Sequence, residues 1–108
     1  MPVVNGVEFH FHMIAKRLKE AHYSETGSVR RDEHVMVLEV ACPGDRPYVI
    51  VGKQQPWGGY EGVHEGLPGD VEVSAQWARL KDEWVGTWLE EGYDYVFRFS
   101  VPEEDAYD

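Results

Sequence analysis

The sequence predicts an α+β fold: a small single-domain sandwich in which an antiparallel sheet of about four strands is packed by one long and one short helix. Three observations carry this expectation. Trp77, Leu80, Trp84 and Trp88 recur at i, i+3, i+7 and i+11, the spacing of one helical stripe. Tyr93, Tyr95, Phe97, Phe99 and Val101 then alternate at the period of a strand. Two β-rich runs, His34 to Ala41 and Tyr48 to Val51, flank Cys42-Pro43-Gly44-Asp45-Arg46-Pro47, a strong turn sequence, and so read as a hairpin. The order βαββαβ is compatible with a ferredoxin-like sandwich.

Taken in order, Val7 to Met13 fits two patterns. As a strand, Val7, Phe9, Phe11 and Met13 face one side, and Glu8, His10 and His12 the other. As a helix, Val7, Phe11, Ile14, Leu18 and Ala21 make a stripe, but Phe9 and Met13 then fall among polar residues. The strand is preferred, followed by a short helix from Ile14 to His22. Ser24-Glu25-Thr26-Gly27-Ser28 reads as a turn or loop. The stretch 54–70, rich in glycine with Pro56 and Pro68, reads as one long loop, and loops of that length in small domains are usually functional or poorly ordered. Ser74 is placed to cap the long helix and Gly92 to end it. Pro102 closes the last strand, and 103–108 is an acidic tail.

A chain of 108 residues, 43% hydrophobic and 13% aromatic, has material for one core and is too short to divide into two. No apolar run approaches a membrane span, the first residues lack the pattern of a secretory signal, and Cys42 is the single cysteine. These features lead to the expectation of a cytoplasmic protein, the host cytoplasm if it is viral.

The net charge of −10 is unevenly distributed. Up to Lys53, seven acids balance seven bases; from Gln54 onward, thirteen acids face Arg79, Lys81 and Arg98 alone. Nucleic acid and anionic lipid are therefore disfavoured as direct partners; a basic protein is favoured, against the equal alternative that the charge serves only solubility. No motif assigns a reaction. The expectation is a non-enzymatic binding or inhibitor protein whose carboxylates stand in for phosphates on a nucleic-acid-handling partner. Phage anti-defence inhibitors and nuclease immunity proteins are the functional analogies. The candidate contacts are Glu61, Glu65, Asp70, Glu72, Asp82, Glu83, Glu90 and Glu91, with Trp57 and Tyr60 as aromatic anchors; that these two rings instead lid the core is an equal alternative.

The alternatives are a small metal-dependent enzyme or metal-binding protein, and a structural subunit of a larger assembly. For the metal, Glu8, His10 and His12 would project from one strand face, with His34 or His64 as a third ligand. No third ligand has diagnostic spacing, so surface histidines are preferred, and no cofactor is expected. Gly58-Gly59-Tyr60-Glu61-Gly62 lacks the spacing of a phosphate-binding loop, and Trp77, Trp84 and Trp88 are assigned to the core.

Overall fold

The computed structural model describes residues 2–14 and 20–102. It contains eight strands: β1 (Val3–Ile14), β2 (Glu20–Arg31), β3 (Val35–Val40), β4 (Tyr48–Gln54), β5 (Tyr60–His64), β6 (Val73–Leu80), β7 (Glu83–Glu90) and β8 (Tyr93–Phe99). Each pairs antiparallel with the next, and β8 returns to β1, so the sheet closes into an up-and-down barrel. Closure removes the free edges that an open sheet would leave. It is made by aromatic cross-strand pairs, Phe9 with Phe99 and Phe11 with Phe97.

The fold is therefore all-β, and the α+β sandwich is corrected. Its long helix is the β6–β7 hairpin. In a hairpin with a two-residue turn, inward positions on the two strands sum to an odd number: Trp77 lies opposite Gly86, Ala75 opposite Trp88 and Arg79 opposite Trp84. Inward residues on different arms are thus an odd number apart, and the separations of seven and eleven that link Trp77 to Trp84 and Trp88 also fit a helical stripe. Within each arm the period is two, with Val73, Ala75 and Trp77 buried on β6 and Trp84 and Trp88 on β7. Leu80, the odd member of the stripe, is exposed. Gly92 ends no helix. With Glu91 it forms a turn in which both residues have positive φ, 49° and 81°, the type I′ geometry that matches strand twist.

Other boundaries shift as well. Residues 24–28 lie within β2, where Gly27 pairs with Val7 and Val40. The long loop 54–70 is interrupted by β5. The expected short helix falls largely on 15–19, outside the described residues, and its described end, Glu20 to His22, is strand. The acidic tail 103–108 is also outside them. The alternation in β1, the β3–β4 hairpin and the final strand are as the sequence predicts.

The interior of an eight-stranded barrel is just wide enough to be filled by side chains. Here Phe9, Met36, Leu38, Ile50, Trp77, Phe97 and Phe99 fill it, each at most 1% exposed. The Trp77 indole donates to the Met36 sulfur at 3.0 Å. Its bulk is accommodated by glycine: a Cβ at Gly52 would stand 2.4 Å from the Trp77 ring, and one at Gly86 would stand 2.7 Å from Trp77 Cα. Much of the outer wall is polar, with Glu8, Ser24, Thr26, Gln76, Thr87 and Arg98 exposed or half-buried.

Candidate functional site

Because consecutive strands run in opposite directions, the connections alternate between the two ends of the barrel. Of the described connections, one end carries 41–47, 65–72 and the turn at Glu91-Gly92. The other carries 32–34, 55–59 and the turn at Lys81-Asp82. The first end gathers Asp45, Glu65, Asp70, Glu72, Glu90 and Glu91, and Arg46 is the one lysine or arginine there among the described residues. Around the second lie Arg30, Arg31, Lys53, Arg79 and Lys81 together with Asp32, Glu33, Asp82 and Glu83. Among the described residues, the charge imbalance along the sequence thus becomes an imbalance between ends, one acidic and one mixed; Lys16, Arg17 and Lys19, between β1 and β2, lie outside them.

This arrangement divides the residues singled out in the sequence. Glu65, Glu72, Glu90 and Glu91 share the acidic end, and Glu65, Glu72 and Glu91 are exposed. A groove lined by Asp70, Glu72 and Glu91 runs beside the β7–β8 turn. Asp70 is already engaged. One of its oxygens pairs with Arg46, and the other accepts from the Leu67 N–H at 2.8 Å and lies 3.8 Å from His64 Nε2. Asp70 thereby ties the 65–72 loop to the 41–47 loop. Asp82 and Glu83 belong to the opposite end, where Glu83 pairs with Arg98. Glu61 is on the outer wall in register with Lys53.

The aromatic pair also separates. Tyr60 is 1% exposed and belongs to the core, so its reading as a surface anchor is corrected. Its hydroxyl accepts from Arg31 Nε at 3.3 Å. Trp57 is 54% exposed at the mixed end, beside a shallow hollow over Ala78, Val85 and Gly86 on the outer wall. That end of the interior is closed by cation–π layers: the Arg31 and Arg79 guanidiniums lie 5.0 and 5.6 Å from the Trp84 ring centroid.

Glu8, His10 and His12 do share the outer face of β1, but the proposed third ligands are elsewhere. His34 lies in the β2–β3 turn. His64 is at the acidic end, edge-on to Tyr48 with ring centroids 5.3 Å apart. The residue that meets His12 is its cross-strand partner His22, stacked at 4.1 Å, while His10 Nδ1 lies 2.8 Å from Ser24 Oγ. Among the described residues, no group of three or more His, Cys, Asp or Glu side chains is arranged to hold a metal ion.

Sequence reasoning missed the feature at the centre of the acidic end. There the barrel mouth opens into a cup of about 120 Å³ lined by Phe11, Tyr23, Glu25, Tyr48, Trp88 and Glu90, with Cys42 at its side. Trp88 and Glu90, two apart on β7, point the same way, and the Trp88 indole donates to Glu90 Oε1 at 3.0 Å. The Tyr48 hydroxyl donates to Glu90 Oε2 at 3.2 Å. Phe11 stacks on Tyr23 and meets Trp88 edge-on.

Burial, reinforced by Tyr95 and by the charges of Glu90 and Glu25, raises the Tyr23 phenol far above its ordinary value. Burial followed by the charge of Glu90 does the same for Tyr48, and burial also raises Tyr95. The sequence signal for the cup was the Trp88-x-Glu90 spacing, visible only once the segment is read as a strand. Tyr23, Glu25 and Tyr48 reach the cup through cross-strand register. No known protein family, curated protein or solved structure matches the chain.

Proposed function

We propose that the protein is a non-enzymatic binding protein whose acidic end occupies the basic surface of a nucleic-acid-handling protein, in the manner of phage anti-defence inhibitors and nuclease immunity proteins. The observation that carries this reading is the gathering of Glu65, Asp70, Glu72, Glu90 and Glu91 at one end of the barrel, with Arg46 as the one described lysine or arginine among them. Such an end presents carboxylates where a duplex would present phosphates, and Lys and Arg accept either anion. Its field also steers a basic surface toward it. The exposed contacts are Glu65, Glu72 and Glu91. Asp70 acts by holding the loop that carries the first two.

The test is competition. The immobilised protein is exposed to a panel of purified nucleases and nucleic-acid-binding proteins, and bound partners are challenged with short duplex DNA. Partners should bind, be displaced by duplex and be released as salt rises. Binding that is indifferent to duplex and salt, or no binding across the panel, would count against the proposal.

A further inference from the structure

We infer that the cup at the acidic end receives one alkylammonium group, the side chain of a lysine on the basic partner, between the Tyr23, Tyr48 and Trp88 rings and the carboxylates of Glu25 and Glu90. The inference rests on the function proposed above and adds the chemistry of its central contact.

Size sets the first limit. At about 120 Å³ the cup is smaller than the ~300–1,000 Å³ of pockets for whole small-molecule ligands. That size suits the end of one side chain. Charge sets the second. Two carboxylates line the cup, so an anion is repelled. A neutral group sealing the mouth would leave buried negative charge uncompensated.

The walls set the third. Aromatic faces attract cations through their quadrupole, increasingly so as water is excluded. Glu90 is held rather than spent: each oxygen accepts one bond, from Trp88 and from Tyr48, and a carboxylate has about four acceptor sites. Both donors fix its direction and leave it able to accept from an entering ammonium. The slender four-carbon stem and compact charge of lysine fit such a space better than the planar fork of arginine.

The reporter is already in the wall. The Trp88 indole N–H donates to Glu90, so its NMR resonance reads the state of the carboxylate, while the exposed Trp57 indole serves as an internal control. The wild-type protein is titrated with N-acetyl-lysine methylamide, n-butylammonium, n-pentanol and a short lysine-rich peptide. The expected result is a saturable shift of the Trp88 resonance with the lysine compounds and butylammonium, tightest for the peptide, with no shift for pentanol. Glu90→Gln and Glu25→Gln, each checked for folding by its thermal transition, should weaken lysine binding by at least about tenfold, as loss of a desolvated charge partner does.

No Trp88 response to any amine would overturn the inference. A free amine that binds more tightly than the lysine peptide would assign the cup to a small molecule and overturn the choice of a partner's side chain. The two proposals fail differently. If partners bind the acidic end but Glu90→Gln weakens them no more than Glu65→Gln, the cup is not the contact and the function proposal stands. If lysine enters the cup but no partner on the panel binds, the cup is real and the function proposal falls.

Discussion

Replacing Gly86 with alanine separates the barrel from the helix that the tryptophan spacing imitates, because the two folds predict opposite signs. In the barrel, Gly86 faces Trp77 across β6–β7. A Cβ there would stand 1.9 Å from the Gln76 carbonyl oxygen and 2.7 Å from both Cα and Cβ of Trp77. These atoms are backbone, or attached directly to it, so no flexible side-chain end can swing aside. The Trp77 ring cannot retreat either, since it is 1% exposed and packs against Tyr60 and Phe97.

Overpacking a core of this kind costs about 1–3 kcal/mol. The reduced freedom of the unfolded chain returns about 0.4–1 kcal/mol of that. The difference spans about 0–2.6 kcal/mol, and because the nearest atoms are backbone the upper part, about 2 kcal/mol, is expected, against a whole-domain stability of ~5–15 kcal/mol. For a domain of this size each kcal/mol moves the melting midpoint by about 4–8 °C. In a solvent-exposed helix, the same change would stabilise by about 1 kcal/mol. Urea and thermal unfolding, followed by tryptophan fluorescence and far-UV circular dichroism, give the sign directly. An unchanged or raised midpoint in Gly86→Ala would refute the packing of Trp77 against β7.

Further expectations concern the core, the turns and the tyrosines. Trp84→Ala should cost about 3–5 kcal/mol, as loss of a large buried aromatic does, read as a shift of the urea midpoint. Asp32 accepts from the His34 and Val35 N–H groups at 2.9 and 2.8 Å, and these bonds hold its carboxyl below the ordinary 3.8. The folded-state value is depressed, so the stability it contributes is present above 3.8 and lost as pH falls through the lower folded value. The melting difference between wild type and Asp32→Ala should therefore be flat above about pH 5 and shrink in stronger acid. Tyr23 and Tyr48 shift the opposite way, upward from 10.0. Their contribution is fully present below pH 10 and declines as pH rises from there toward the folded values. Phenolate absorbance from these two should appear only with alkaline unfolding, and an early component that vanishes in Tyr48→Phe would contradict the cup's geometry.

What the sequence disclosed follows from where each signal resides. The alternation of Val7, Phe9, Phe11 and Met13 and the turn between Val40 and Tyr48 are local properties of the chain, and both appear in the fold. The β6–β7 hairpin was hidden because its arms are joined by only two residues, Lys81 at φ 58° and Asp82, neither a glycine. Strand β5 was hidden by glycine: Gly62 pairs with Gly52 and Ala75, and a Cβ at Gly62 would meet the backbone of Val51 and Gly52. Charge was legible as an imbalance along the chain, but its spatial form required the topology. Asp82 and Glu83 lie nine and eight positions from Glu91 in sequence and at the opposite end of the barrel. The cup draws on β1, β2, β3, β4 and β7 and on the connection after β3, and no local pattern joins all of them.

The most direct test of the acidic end is the association rate of two charge-matched triple variants with a partner from the binding panel. Glu65→Gln, Glu72→Gln and Glu91→Gln remove three exposed charges from that end. Glu8→Gln, Glu33→Gln and Glu61→Gln remove three exposed charges from the outer wall and the mixed end. Both sets lower the net charge equally, so a difference between them reports position alone. The first set should associate more slowly at low salt, with a flatter dependence on ionic strength, while the second should remain close to wild type. Equal slowing in both sets, or none in either, would contradict the claim that this end of the barrel is the surface that meets the partner.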